Sequence, residues 1–206
     1  PRKKNEKILK RHYDIASCAQ NLFEIAMNSY LRFLKKKTKS ENLIFSGGCA
    51  MNCLYNGKIK DLNIFKNIHI PFAPDDSGNS IGAAIKVSEE NGIKLKSNNI
   101  DSFLGYEEKI DYQKKFKNYG IRFKKIDNKV SFMADQISRD KVIAHFSGRA
   151  EFGQRALGNR SIFASPNNRN MKNIINSKIK FREQYRPFAP MIKKENLQKF
   201  FLTNFV

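Results

Sequence analysis

The clearest periodic pattern lies near the start of the chain, where apolar residues recur at three- and four-residue steps from residue 14 to residue 37. This spacing places them on one side of a helix and predicts a long amphipathic helix. Asp14 is a suitable cap for its start, and the basic run at 35–37 suits the negative C-terminal end of the helix dipole.

Short apolar runs and special turns follow this helix. Strands are predicted at 42–46 and 67–70, and each leads through a turn into a further helix, one reaching Lys60 and the other covering 81–90. The order helix, strand, helix, strand, helix is typical of an α/β fold.

A different pattern begins near residue 100. Residues 97–129 are polar and rich in lysine, which predicts a linker with local elements, whereas 131–138 predicts a helix and 141–146 a buried strand. We therefore place a domain boundary near residue 105, with one domain at 1–105 and another at 106–206.

The 206 residues include 39 lysines and arginines against 19 acidic residues, a net charge of +20. Such a charge is typical of nucleic-acid binding, but abundant lysine, asparagine and isoleucine also follow from AT-rich codons. The lysines are scattered, which favours the second explanation. The arginines are not, because six of eleven fall within one stretch: Arg149, Arg155, Arg160, Arg169, Arg182 and Arg186. Arginine binds phosphate or carboxylate bidentately, so this cluster points to small anionic ligands.

Apolar runs and cysteines narrow the class of protein further. No run is long enough for a membrane-spanning helix, so we expect no membrane partner. Three cysteines without a CxxC pair favour a reducing, cytoplasmic location.

A glycine-rich turn, SGGCAMN at 46–52, separates the first predicted strand from a helix. Gly47 and Gly48 would let a ligand approach the backbone, a helix start offers N–H groups to phosphate, and Asn52 could project into the same place. An ordinary strand-to-helix turn would have the same pattern.

The second strand ends at a turn that contains Asp76. Ligands sit at the carboxyl ends of strands in open α/β sheets, and a carboxylate there could bind a metal. The alternative is that Asp76 only caps the following helix.

The arginine cluster contains two dense runs, GRAEFGQRALGNRSI at 148–162 and KFREQYRPFAP at 180–190. Guanidinium groups beside glycine and serine suit phosphates, and they would neutralise charge on a transferred phosphoryl group. Structural ion pairs are the alternative, but only Glu151 and Glu183 lie nearby in sequence.

Other metal-ligating residues are sparse. His12, His69 and His145 form no HxxxH or HxH pair, so they cannot make a complete histidine metal site. Cys49 and Cys53 are four residues apart on a predicted helix, where we expect them to be small buried residues.

The two arginine-rich runs resemble the signature of O-carbamoyltransferases of the nodulation and antibiotic-tailoring type. SGGCAMN at 46–52, DDSGNSIGAA at 75–84 and SFLG at 102–105 resemble other blocks of that family, in order, over nearly the whole chain.

The resemblance implies an α/β chain that joins the C-terminal part of an actin-like domain to the N-terminal part of a YrdC-like domain, the fold of enzymes that make threonylcarbamoyl-adenylate. It implies that carbamoyl phosphate and ATP form carbamoyl-adenylate in the second domain. The carbamoyl group would then pass to a hydroxyl of a small molecule or glycan in the first domain.

Site residues follow from the same resemblance. Gly47, Gly48 and Asn52 would contact the adenylate, and Asp76 would bind a divalent metal such as Fe(II) in the actin-like domain, with Mg²⁺ accompanying ATP. Candidates for the carbamoyl phosphate and ATP site are the following: Arg149, Arg155, Arg160, Ser161, Lys180, Arg182 and Arg186.

The sequence also departs from the family. The two metal-binding histidines of the family have no match in this sequence, and Asp75 stands where the family usually has a small residue before the metal-binding aspartate. We therefore expect an internal or truncated piece that is inactive alone, with the missing N-terminal segment as a possible separate chain. The alternatives are a basic nucleic-acid-binding module, for example for tRNA, and a non-catalytic remnant or split-gene partner. The arginine clustering argues against a nucleic-acid partner.

Overall fold

The computed structural model describes residues 2–3, 6–93, 101–107 and 109–201. These residues form two compact units. The first is Pro1–Phe103 with Phe152–Arg155, and the second is Leu104–Glu151 with Ala156–Val206. Of the predicted linker, residues 97–100 and 108 lie outside the described ranges. The assignment of the two named domains to 1–105 and 106–206 stays a prediction.

The first unit begins with a long helix, α1 (Lys10–Thr38). It starts four residues before Asp14, so the predicted Asp14 cap is wrong. Leu9 holds the cap position instead, and its N–H donates to His12 Nδ1 at 2.8 Å. The predicted lysines do lie in the last turn, where their charge complements the helix dipole.

Two short strands, β1 (Asn42–Ile44) and β2 (Asn67–His69), form a parallel pair in which Leu43 lies beside Ile68. Between them lie α2 (Cys53–Ile59) and flanking 3₁₀ turns at Gly48–Met51 and Lys60–Leu62. The helix α3 (Gly78–Glu90) follows. The predicted order of helices and strands is confirmed, but the helix expected to run to Lys60 is broken at Asn52.

The core of this unit forms between α1 and the strands. Leu31, Tyr55 and Ile59 are almost completely buried, and Phe23 meets the Tyr55 ring edge-on at 5.4 Å. The Tyr55 hydroxyl donates to Asn28 Oδ1 at 3.0 Å, so its polar atom is paired. These contacts pack α1 and α2 into the same core as Leu43 of β1.

A second apolar face of α1 lies away from this core. Its members recur at seven-, four- and seven-residue steps and are exposed: Ile15, Leu22, Ala26 and Phe33, here called the outer stripe. About 60% of the surface of Leu22 and of Phe33 is accessible, which is unusual for residues of this size on a regular stripe. Across the described ranges, no helix is both long and apolar enough to cross a bilayer.

The second unit contains two short helices, α4 (Tyr112–Asn118) and α5 (Lys129–Ser138). The strands β3 (Ile143–Phe146) and β4 (Arg160–Phe163) pair antiparallel, with His145 opposite Ser161. The helix α6 (Met171–Ile174) continues into a π-helical turn at Ile175–Ile179, and a 3₁₀ turn at Lys194–Asn196 leads into α7 (Leu197–Phe200).

Candidate functional site

Two predicted turns of the first unit meet at the carboxyl ends of β1 and β2. The Gly47 N–H donates to the Pro74 carbonyl at 2.6 Å, and the Ser46 hydroxyl donates to the same oxygen at 2.9 Å. Because β1 and β2 are parallel neighbours, both turns leave the sheet at one edge. The structure therefore brings the Gly47 turn together with the turn that contains Asp76.

The surface at this edge is open around the paired glycines. A Cβ built on Gly47 or Gly48 would meet no atom within 4 Å, and Gly47 has φ 92°, a conformation that favours glycine. The Asn52 side chain is already engaged. Its Oδ1 accepts from the Tyr55 N–H at 3.1 Å and its Nδ2 donates to Gln20 Oε1 at 2.9 Å, so Asn52 caps α2.

The two aspartates of the second turn differ in their contacts. Asp75 accepts from the Ser77 hydroxyl at 2.6 Å and from the Gln154 side-chain amide. The Ser77 hydrogen bond, aided by Gln154, holds the pKa of Asp75 below its ordinary value. Asp76 is exposed and makes no capping bond, since Ser77 holds the cap position of α3, so the alternative of Asp76 as helix cap is wrong.

A metal at Asp76 would need ligands from elsewhere. The part of the chain that the structure describes contains no group of three or more His, Cys, Asp or Glu residues able to hold a metal ion. One exposed carboxylate does not make a closed or catalytic metal site. The described residues therefore do not fit a resident metal by themselves.

The loop between β3 and β4 in the second unit is held together by Arg160. Its guanidinium donates to the carbonyls of Ser147 at 2.7 Å and Gly148 at 2.9 Å, and it stacks on the Phe146 ring at 3.5 Å. A planar donor fork is well matched to two carbonyls and an aromatic face. Arg160 therefore closes the base of the loop rather than pointing toward a ligand.

Glu151 closes the same loop from inside. Its Oε1 accepts backbone N–H groups of Leu157 at 2.7 Å, Asn159 at 2.8 Å and Arg160 at 3.2 Å. Partial burial opposes ionisation, but these N–H donors outweigh it and hold the pKa of Glu151 below its ordinary value. Ser161 also supports the loop, because its Oγ accepts the Gly158 N–H at 2.9 Å.

Two arginines on this loop have different surroundings. The side chains of Arg149 and Arg155 are exposed and form no hydrogen bond or ion pair with any described residue. Arg149 is carried by a backbone of the second unit that Arg160, Glu151 and Ser161 fix, whereas Arg155 lies in the segment Phe152–Arg155, which belongs to the first unit. An anion could therefore pair with Arg149 without breaking an existing contact.

The second arginine-rich run follows the π-helical turn. Arg182 donates from Nε to Asn176 Oδ1 at 2.7 Å and lies over the Phe188 ring at 4.8 Å. Arg186 forms an ion pair with Glu183 at 2.8 Å, whereas Lys180 has an exposed side chain without a partner among the described residues. No hydrogen bond or ion pair within 101–107 and 109–201 joins this run to the β3–β4 loop.

Comparison with known proteins agrees with these motifs. The carbamoyltransferase N-terminus family matches residues 1–85, and the carbamoyltransferase C-terminus family matches residues 134–205. Nodulation protein NolO of Bradyrhizobium diazoefficiens is 34% identical over 97% of this chain. The chain belongs to the carbamoyltransferase family.

Other members of the family cover the chain equally well. Nodulation protein NolNO of Sinorhizobium fredii is 34% identical over 97% of this chain, and an uncharacterized protein, MJ1058, of Methanocaldococcus jannaschii is 31% identical over 91%. The chain spans 37% of the length of NolO, 30% of NolNO and 32% of MJ1058. The activity of a whole carbamoyltransferase is therefore a proposal for this chain.

The structure also shows the surroundings of one histidine and two cysteines of this carbamoyltransferase chain. His145 faces the arginine-rich loop, with Nδ1 at 2.7 Å from the Gly158 carbonyl. Cys49 and Cys53 are exposed, so the expectation that they are buried is wrong. They also lie on two separate turns, because the backbone breaks at Asn52.

Sequence reasoning missed the neutral residues that hold these loops. Gln154 reaches Asp75 from a distant part of the chain, and Asn176 is completely buried beneath Arg182. Neither side chain is charged, and a single amide residue leaves no periodic pattern in the sequence that could reveal its role. Gln154 lies within the first arginine-rich run and Asn176 lies outside both, so sequence position singles out neither residue.

Proposed function

We propose that this chain forms part of an ATP-dependent O-carbamoyltransferase that uses carbamoyl phosphate. The observation that carries the proposal is Arg149, an exposed guanidinium group without a described partner, on a loop of the second unit that Arg160 and Glu151 fix. Preorganised donors bind an anionic group without first breaking their own contacts. Together with family membership, this favours a small phosphorylated substrate.

The proposed reaction has two steps that balance. Water first cleaves carbamoyl phosphate into carbamate and phosphate. A carbamate oxygen then attacks the α-phosphorus of ATP, the bond from that phosphorus to the bridging oxygen of the β-phosphate breaks, and carbamoyl-adenylate and pyrophosphate form. A hydroxyl oxygen of a small molecule or glycan then attacks the carbamoyl carbon, the bond to the adenylate oxygen breaks, and AMP leaves while the hydroxyl proton goes to solvent. Arg149 would neutralise phosphate charge in the first step, with Lys180 and Arg182 of the same unit as further donors.

We assign carbamoyl-adenylate formation to a YrdC-like second domain and carbamoyl transfer to an actin-like first domain. The parallel strands of the first unit, whose turns meet at one edge, support a nucleotide-binding role for Gly47 and Gly48. Magnesium bound to ATP would neutralise phosphate charge. A divalent metal such as Fe(II) at Asp76 would need ligands outside the described residues, so no step is derived through it.

We also propose that the outer stripe of α1 is covered, in the working enzyme, by further residues of the carbamoyltransferase N-terminal region, on this polypeptide or on a second one. The exposure of Ile15, Leu22 and Phe33 supports this proposal. The chain also spans only about a third of the length of NolO. The test mixes this chain with the remaining N-terminal region of NolO. Leu22→Asp should abolish the complex and Asn21→Asp should not, and equal binding by both variants argues against this surface.

The carbamoyl phosphate site is tested by calorimetric titration of the chain with carbamoyl phosphate. Arg149→Ala should weaken binding about tenfold, the effect of losing one charge-assisted bidentate contact. The matched control is Arg122→Ala, which removes an equally exposed arginine of the same unit. Equal affinities of the two variants would remove the central support for the proposal.

A further inference from the structure

Asn176 is one of two buried polar side chains among the described residues, and it is fully inaccessible to solvent. Its Oδ1 accepts from Arg182 Nε at 2.7 Å, and its Nδ2 donates to the Arg186 carbonyl at 3.1 Å. Its backbone carbonyl also accepts the Arg182 N–H at 2.9 Å. One residue therefore holds the backbone and the side chain of Arg182 and the backbone four residues further on.

The Asn176 contact leaves most of the Arg182 guanidinium available. Arginine has five N–H donors, and Asn176 takes the one on Nε. One face of the group lies over Phe188, and a terminal nitrogen is 3.5 Å from the Pro187 carbonyl, at the limit of a hydrogen bond. The terminal edge, which binds phosphate bidentately, thus has no strong partner within the described residues.

The backbone around this contact is unusual in two ways. Asn176 lies in a π-helical turn, Ile175–Ile179, and such turns are frequent at functional sites. Phe181 has φ 46°, a left-handed conformation that is rare for a bulky residue, and its side chain is 83% exposed. A strained residue without a buried side chain persists only when its surroundings hold it, and Asn176 bonds directly to the next residue.

We infer that Asn176 is a positioning residue that fixes the Arg182 guanidinium, terminal edge outward, to receive a phosphoryl anion such as carbamoyl phosphate. The inference rests on the proposed function, since it names the residue that prepares one of its arginines. Asparagine is suited to this place because one side chain must accept from Arg182 and donate to a carbonyl, which neither aspartate nor an apolar residue does.

A purely structural role for Asn176 predicts something different. Loss of a buried amide would then lower stability and leave ligand binding by the remaining folded protein unchanged. Positioning instead predicts that the effects of removing Asn176 and Arg182 on affinity do not add, because the first acts through the second.

The experiment measures carbamoyl phosphate affinity for the 206-residue chain in a double-mutant cycle. Asn176→Ala and Arg182→Ala should each weaken binding about tenfold, and the double variant should match Arg182→Ala within about twofold. Asn173→Ala is the control, an exposed asparagine whose side chain donates only to Asn170. It should bind like the parent. Additive losses, or unchanged affinity in Asn176→Ala, overturn the inference.

Two further measurements keep the test decisive. If Asn176→Ala does not fold, Asn176→Asp is compared with Asn173→Asp, which adds the same charge nearby; equal affinities then overturn the inference. If the parent chain binds no carbamoyl phosphate, the proposed function fails, and positioning is judged by NMR of the Arg182 Nε–H. That signal should be protected from exchange in the parent and lose protection in Asn176→Ala, and unchanged protection overturns the inference.

Discussion

The strand-end turns of the first unit and the arginine-rich loops of the second hold their predicted ligand residues in opposite ways. At the strand ends, Gly47 contacts the Pro74 carbonyl through its backbone, and the space beside it is open because there is no side chain. In the loops, Arg160 and Arg182 themselves hold the chain in place. The number of arginines in a cluster therefore exceeds the number that can bind a ligand, because some of them hydrogen-bond to backbone carbonyls and side-chain amides of the protein itself.

The largest effect should come from the first unit, at Gly78. A Cβ there would lie 2.2 Å from the Ala73 carbonyl oxygen, so Gly78→Ala must move the strand-end turn. We expect the free energy of unfolding to fall by at least about 2 kcal/mol. Gly82→Ala, in the same helix with open space around it, should instead gain up to about 1 kcal/mol. Urea denaturation measures both, and a stable Gly78→Ala would mean that the turn is not closely packed.

The next effect separates two arginines of one loop. Arg160→Ala removes three hydrogen bonds to carbonyls and a stacking contact, and should cost about 2 kcal/mol of stability. Arg149→Ala should change stability by less than about 0.5 kcal/mol. Urea denaturation and titration with carbamoyl phosphate together test this separation. A loss of stability in Arg149→Ala would show that both arginines support the loop and would erase the contrast.

A smaller effect should depend on pH through Glu151. Its folded pKa is lowered, so its stabilising contribution is full above the ordinary glutamate pKa and is lost as pH falls through the folded value. The stability advantage of the parent over Glu151→Gln should therefore be largest at neutral pH and vanish in acid. Glu89→Gln, an exposed change on α3, serves as the control. If the difference in free energy of unfolding between the parent and Glu151→Gln did not change with pH, the charge of Glu151 would not be what holds the loop.

The smallest change in stability is expected at the open glycine. Gly48→Ala places a methyl group where no atom lies within 4 Å, so the free energy of unfolding should change by less than about 0.5 kcal/mol. If a nucleotide approaches this backbone, the same methyl group should weaken binding of a non-hydrolysable ATP analogue. Unchanged affinity would place the nucleotide elsewhere and leave the strand-end turns as structural elements only.

The sequence predicted the elements better than it predicted the roles of side chains. Periodicity located α1 and both parallel strands because each has one face against the core. It misplaced the start of α1, because the residue that accepts a backbone N–H at the first turn is His12, which bonds to Leu9, and not an acidic cap. Local spacing could not show that Gln154 would contact Asp75, or that Asn176 would lie beneath Arg182, since both contacts depend on where the loops fold back.

The outer stripe of α1 has a consequence for how the protein behaves in solution. Copies of a chain with a net charge of +20 repel one another at low ionic strength, which keeps the apolar residues of α1 apart. Added salt shortens the range of that repulsion to about 3 Å at 1 M, while apolar attraction persists. Self-association should therefore increase with salt, the reverse of complexes that rest on opposite charges, and ionic strength becomes a means of controlling how many copies assemble.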